Sequence, residues 1–236
     1  MQYRTLTNLE DIQVAAGRTR GGGPRAARAG AVLRLFALAA APLALSHPAA
    51  AAAGEVGTHL LAEANLGLGI APVTYLPPNF AWGGMLGIGG KFAGFPLRFY
   101  AVAGAEAVDF SGEGVHPQTG CAFAAERWYV DIYGGLRLLL PIFDRIRTYV
   151  DLLGGASYTD GVVARRDGPS IAKQDWYGQF TLGWGLQYRW HENASTGLRA
   201  EAMFGGQEAE VLDTYAGEGE GGGVRFSVMV TQTWHL

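Results

Sequence analysis

"QDWYGQFTLGWGLQYRW", residues 174–190, decides the fold. Trp176, Gly178, Phe180, Leu182, Trp184, Leu186, Tyr188 and Trp190 take every second position. Tyr177, Gln179, Thr181, Gly183, Gly185, Gln187 and Arg189 fill the places between. Strand side chains alternate between faces, so one face here is aromatic and aliphatic and the other polar or bare. From Trp176 to Trp190, at ~3.3 Å per residue and ~45° tilt, the stretch spans roughly 33 Å. That length covers an apolar band of ~25 Å with an aromatic girdle at each edge.

The same alternation recurs near 58–71, 80–92, 96–109, 126–140, 147–159, 195–205 and 224–236, with no helical period between. Strand 3 sets Leu97, Phe99 and alanines against Arg98, Tyr100, Val102, Gly104 and Glu106. Both its faces are partly apolar, so pattern constrains its register least. Connections about 72–79, 111–125, 160–175 and 206–223 read as long loops rich in Gly, Pro and charge, whereas 93–95, 141–146 and 191–194 are short. Long loops on one side and tight turns on the other are the pattern of an outer-membrane barrel.

The apolar face belongs outside for three reasons. The opposite face is glycine-rich and sparsely charged, with Gly67, Gly83, Gly87, Gly89, Gly135, Gly155, Gly183 and Gly185. That suits a narrow eight-stranded lumen better than a soluble surface. Bulky aromatics also collect at strand ends. Trp82, Trp128, Tyr158, Trp176 and Phe204 lie toward the long loops, and Phe92, Tyr188, Trp190 and Trp234 toward the short turns. Such rings settle between hydrocarbon and headgroups. Strand length is the third reason. The competing soluble architecture is an exported lipocalin-like carrier, with its apolar face turned inward around a ligand.

The expected fold is therefore all-β, an eight-stranded antiparallel up-and-down transmembrane β-barrel over 54–236. Residues 1–53 read as a leader with a cleaved secretory signal: basic residues, then "AVLRLFALAAAPLALSHPAAAAAG" (31–54), with small residues before Gly54. Arg34, Pro42, His47 and Pro48 interrupt the run that a helical anchor requires. The lone Cys121 excludes an internal disulfide framework, and a net charge of −3 gives no basis for nucleic-acid binding.

The chain ends "FSVMVTQTWHL" (226–236), with Phe226, Val228, Val230, Trp234 and Leu236 on alternate positions. In that strand and in its architecture, 58–236 resembles the small eight-stranded outer-membrane barrels of the OmpA and OmpX kind. Gln232, and a terminal Leu where the family usually ends in Phe, depart from the pattern. The resemblance implies an outer-membrane location with both termini periplasmic. It also implies contact with lipid and lipopolysaccharide, and recognition of the last strand by the barrel-insertion machinery. Extracellular ligands at the loops would follow from the same reading.

Lumen-facing charges of both signs are expected at Glu63, Lys91, Arg98, Glu106, Asp131, Arg137, Asp151, Arg189, Arg199, Glu201 and Arg225. Buried charges need partners, so these read as a salt-bridged plug. The expected role is a non-enzymatic anchor that presents surface loops. A narrow small-solute pore is the alternative reading of the same charges. A lipid A-modifying hydrolase would need His116, near Asp109, Ser111 and Glu113, but no serine–histidine motif accompanies it. No metal-ligand spacing and no cofactor motif are present, so neither is expected.

Overall fold

The computed structural model describes residues 58–71, 73–91, 96–166, 168–205, 209–217 and 224–236. The leader with its expected cleavage point, and Phe92, lie outside the described residues. The strands are β1 (Thr58–Ile70), β2 (Asn79–Lys91), β3 (Arg98–Val115), β4 (Ala122–Pro141), β5 (Ile146–Arg165), β6 (Ser170–His191), β7 (Ala194–Phe204) and β8 (Val224–His235). A helix, α1 (Ala209–Ala216), precedes β8.

Each strand pairs antiparallel with its sequence neighbours, and β1 closes the ring on β8, from Leu61 opposite His235 to Ile70 opposite Phe226. The result is an eight-stranded up-and-down transmembrane barrel. Closure leaves no unpaired edge in the apolar medium, which strands crossing hydrocarbon require. The alternation places side chains as the sequence predicts. Leu66, Ile132, Trp184 and Val230 stand outward and exposed, while Glu63, Asp131, Asp151 and Arg199 are buried inside. Strand 3 keeps the expected register, with Arg98, Tyr100 and Glu106 facing in.

Two expectations are corrected. Residues 111–125 and 160–175 are mostly strand, because β3–β4 run on to a turn at 116–121, β5 runs on to Arg165 and β6 begins at Ser170. Part of 206–223 is helical rather than loop. The polarity of the alternation inverts along these strands. Beyond the ring of Trp82, Trp128, Tyr158 and Trp176, outward positions of β3 become Asp109, Ser111 and Glu113. Inward positions become apolar there: Phe110, Phe123, Ala125 and Val163 are buried. They join Val73, Tyr75 and Leu76 of the β1–β2 connection and Leu212 and Ala216 of α1 in one core. Inside the membrane belt the lumen holds buried charges packed among Leu61, Met85, Tyr100, Tyr133, Leu139 and Tyr149; past the belt it has the apolar interior of a water-soluble domain.

Lumen glycines allow this filling. A Cβ on Gly185 would lie 2.1 Å from Cζ of Tyr149, so the bare α-carbon is the seat of that ring. Gly178 faces outward with nothing within 4 Å of the same atom. Gly185→Val is therefore expected to destabilise the barrel by about 1–3 kcal/mol through overpacking. Gly178→Ala should change stability by less than about 0.5 kcal/mol. Urea unfolding of vesicle-reconstituted protein measures both.

Candidate functional site

The lumen holds its charges in levels along the barrel axis. The central level is built on Arg137. Its Nε donates to Asp151 Oδ1 at 2.7 Å and its Nη2 to Oδ2 at 2.8 Å, while Nη1 donates to Glu63 Oε2 at 2.6 Å. Arg137 and Asp151 are direct cross-strand partners, which sets up the two-pronged pair. The guanidinium also lies 3.9 Å from the centroid of the Tyr149 ring, a cation–π contact.

Arg199 is ion-paired to Glu201 at 2.7 Å and stands 3.4 Å from Asp151 and 3.6 Å from Glu63. Gly183 lies between Asp151 and Glu201 in the register, and its missing side chain leaves room for that approach. Thr233 donates to Glu63 at 2.9 Å, and Gln187 donates to Thr233 at 2.8 Å. With its amide oriented by the donors and acceptors around it, Asn65 accepts from Arg199 at 3.0 Å and donates to Glu63 at 3.1 Å. Glu106 is buried beside this level, but among the described residues it forms no salt bridge and neither of its carboxyl oxygens has a hydrogen-bond partner. One level on, Arg225 pairs with Asp131 at 2.7 Å and lies 4.0 Å from the Tyr129 ring centroid.

Not every expected lumen charge joins these levels. Lys91 is exposed and sits directly across from Arg98, so two like charges face each other at the end where β1 begins and β8 ends. Arg189 is at that end too, donating to the main-chain oxygen of Asp144 at 2.8 Å. Among the described residues none of the three forms a salt bridge. The network is therefore smaller than its composition suggests, because facing inward does not mean standing at the same depth.

A third level was not foreseen. Arg127 of β4, almost fully buried, donates to Asp213 of α1 at 2.7 Å and to the Tyr75 hydroxyl at 2.9 Å. Tyr75 in turn donates to Asp213 at 2.5 Å. Burial pushes the Tyr75 phenol above its ordinary value, which already keeps it protonated at neutral pH. This triad joins the β1–β2 connection, the wall and the helix across the mouth opposite the end where β1 begins and β8 ends. On the outside of α1, Arg165 donates to the Tyr215 carbonyl and the Tyr215 hydroxyl to that of Pro169.

His116 is a turn residue here. It is buried, and its Nδ1 accepts the main-chain N–H groups of Gln118 and Thr119, both at 3.3 Å. Asp109, Ser111 and Glu113 stand on the opposite, outward face of β3. The Cys121 thiol, in the same turn, donates to the Thr119 carbonyl at 3.6 Å.

The interface aromatics sort by height. Tyr158 stacks near Trp128 and Trp176 at centroid distances of 6.3 and 5.2 Å, and Phe180 meets Phe204 at 6.3 Å. Tyr188, Trp190 and Trp234 stand exposed at the other edge. Gln232, outward on the terminal strand, accepts from Thr196 at 2.6 Å, and Thr196 accepts from Trp190 Nε1 at 3.1 Å. That pairing satisfies the polar residue where the strand pattern is broken.

Removing Asp213 leaves a buried guanidinium without its carboxylate. Asp213→Ala should cost about 3–5 kcal/mol in urea unfolding, and Arg127→Met combined with Asp213→Leu should recover most of it.

No family model and no curated protein matches the sequence. Among solved structures, the chain is similar to Ail, the attachment invasion locus protein of Yersinia pestis, in complex with the heparin analogue sucrose octasulfate. That match has a TM-score of 0.44 and 11% identity over 77% of this chain and 99% of that one. Neisserial surface protein A matches with a TM-score of 0.36 and 10% identity, over 77% of this chain and 97% of that one. The N-terminal barrel of Pseudomonas aeruginosa OprF matches with a TM-score of 0.36 and 12% identity, over 75% and 97%. The likeness is one of fold: the chain is eight antiparallel neighbours closed into a ring.

Proposed function

We propose that this protein is an integral outer-membrane barrel without enzymatic activity, a rigid anchor that carries a built platform outside the cell. The single observation behind this reading is the change of phase along β3–β6. Within the belt the lumen buries ion pairs among apolar and aromatic side chains, and the strands continue past it around a separate apolar core free of the outward girdle. A chain used only to span a membrane has no need of that second core. The platform, made by the β3–β4 and β5–β6 hairpins, the β1–β2 connection and α1, is the surface for extracellular partners. Both termini are periplasmic in this reading. The exposed residues Phe226, Val228, Val230, Trp234 and Leu236 serve as the insertion signal. Lipid and lipopolysaccharide surround the belt.

Placement of Ser170 and Asn193, exposed at opposite ends, tests the orientation. In a Cys121→Ser background, Ser170→Cys should react with a membrane-impermeant maleimide on intact cells. Asn193→Cys should react only after the envelope is opened. The reverse pattern overturns the proposal. Planar-bilayer recording tests the plug. No stepwise conductance is expected from the native protein, whereas well-defined steps would favour the small-solute pore.

A further inference from the structure

At the mouth where β1 begins and β8 ends, a cavity of about 350 Å³ opens beside the β4–β5 turn. Arg98, Arg147 and Arg189 line it together with Leu139, Phe143 and Asp144. Arg147 is the buried one, at 5% exposure, and both other arginines act on it electrostatically. Its Nη1 lies 3.3 Å from His235 Nε2, so its nearest polar partner is an imidazole and not a carboxylate. Among the described residues no carboxylate forms a salt bridge with any of the three. Asp144 is the acid on the cavity wall, and it is the main-chain oxygen of that residue that Arg189 uses.

Every other buried arginine of the lumen has its acid. Arg127, Arg137, Arg199 and Arg225 each lie within 2.7 Å of a carboxylate oxygen. A guanidinium held out of water without an anion is costly. Three lining one cavity, against a single acid, leave an excess of positive charge around that space. Guanidinium forks match the oxygens of a phosphate group, and a doubly charged oxyanion supplies what the cavity lacks.

We propose that this mouth is a phosphate-binding site, with Arg147 as its floor and Arg98 and Arg189 as its sides. The phosphate is carried either by a soluble monoester or by a lipid headgroup. Phe143 and Ile142, exposed on the turn beside the cavity, suit the second source. The site stands on its own geometry and holds whichever side of the membrane this mouth faces.

The test uses the full barrel in zwitterionic, phosphate-free detergent micelles, titrated calorimetrically with inorganic phosphate at low salt. One saturable site is expected. Arg147→Gln should weaken it by tenfold or more, since hydrogen bonds to charged groups dominate such sites. Arg98→Gln and Arg189→Gln, at less buried positions, should each weaken it several-fold, and Asp144→Asn should tighten it. Arg145→Gln, on the same turn but outside the cavity, should leave affinity within twofold. The heat-modifiable gel shift identifies variants that fold, and Arg147→Lys, which keeps the charge without the fork, should bind with intermediate affinity. Native mass spectrometry from nanodiscs containing phosphatidic acid, a lipid phosphate monoester, separates the sources. A retained lipid that Arg147→Gln loses assigns a headgroup; phosphate binding without retained lipid assigns a soluble monoester. Absence of saturable phosphate binding and of retained lipid in the native protein overturns the site. So does equal affinity in the Gln variants that fold.

Discussion

Arg137 is the interaction on which the barrel depends. One guanidinium, with no exposed surface, holds Asp151 of β5 with two prongs and reaches Glu63 of β1 across the axis. Through Glu63 the contacts pass to Thr233 of β8 and Gln187 of β6, and through Asp151 to Arg199 of β7. Six of the eight strands are thus tied through the centre by groups that hydrocarbon could not solvate. Main-chain ladders hold neighbouring strands; this network holds strands that are not neighbours. A buried pair contributes little net stability against an apolar isostere, yet losing one partner is severe. Its use in a barrel is to specify one register, because sliding any wall would strand a charge.

The second constraint is solvent. Within the belt, lipid outside demands apolar outward residues, so the polar ones have only the lumen left. Past the belt, water is outside and the rule inverts. Trp128 and Phe123, five residues apart on β4, stand on opposite faces and each faces its own apolar phase. The arginine and acid of the upper triad sit where the two regimes meet, pinning α1 over the mouth. Small residues make both fillings possible, since a lumen this narrow accepts the Tyr149 ring only where Gly185 opposes it.

This explains what was legible in the chain. Strand count, facing of each strand within the belt and the aromatic girdles all follow from one period of two, read against a single choice of outside. The strand ends past the girdle were not legible, because at Asp109 and Glu126 the apolar residues move to the opposite parity and the pattern looks broken. Arg127 lies two residues before Tyr129, so its inward facing was available to a reading that carried parity through the break. Asp213 was not available. Eight helical residues in an acidic, glycine-rich segment are too few to show a period, and Leu212 and Ala216 mark its buried side only once the core is known. Nor does parity report depth, which is why Lys91, Arg98 and Arg189 looked like members of a network that they do not join.

The claim beneath all of this is that the apolar face meets lipid acyl chains and the charged face meets only protein. All six tryptophans stand on the outward face, and Trp184 lies midway along β6 between Trp176 and Trp190. Quenching of single-tryptophan variants by phospholipids brominated at two acyl depths tests this directly. Trp184 should be quenched most by the deep bromines and Trp190 most by the shallow ones. A Trp184 emission indifferent to bromine at either depth would contradict the account.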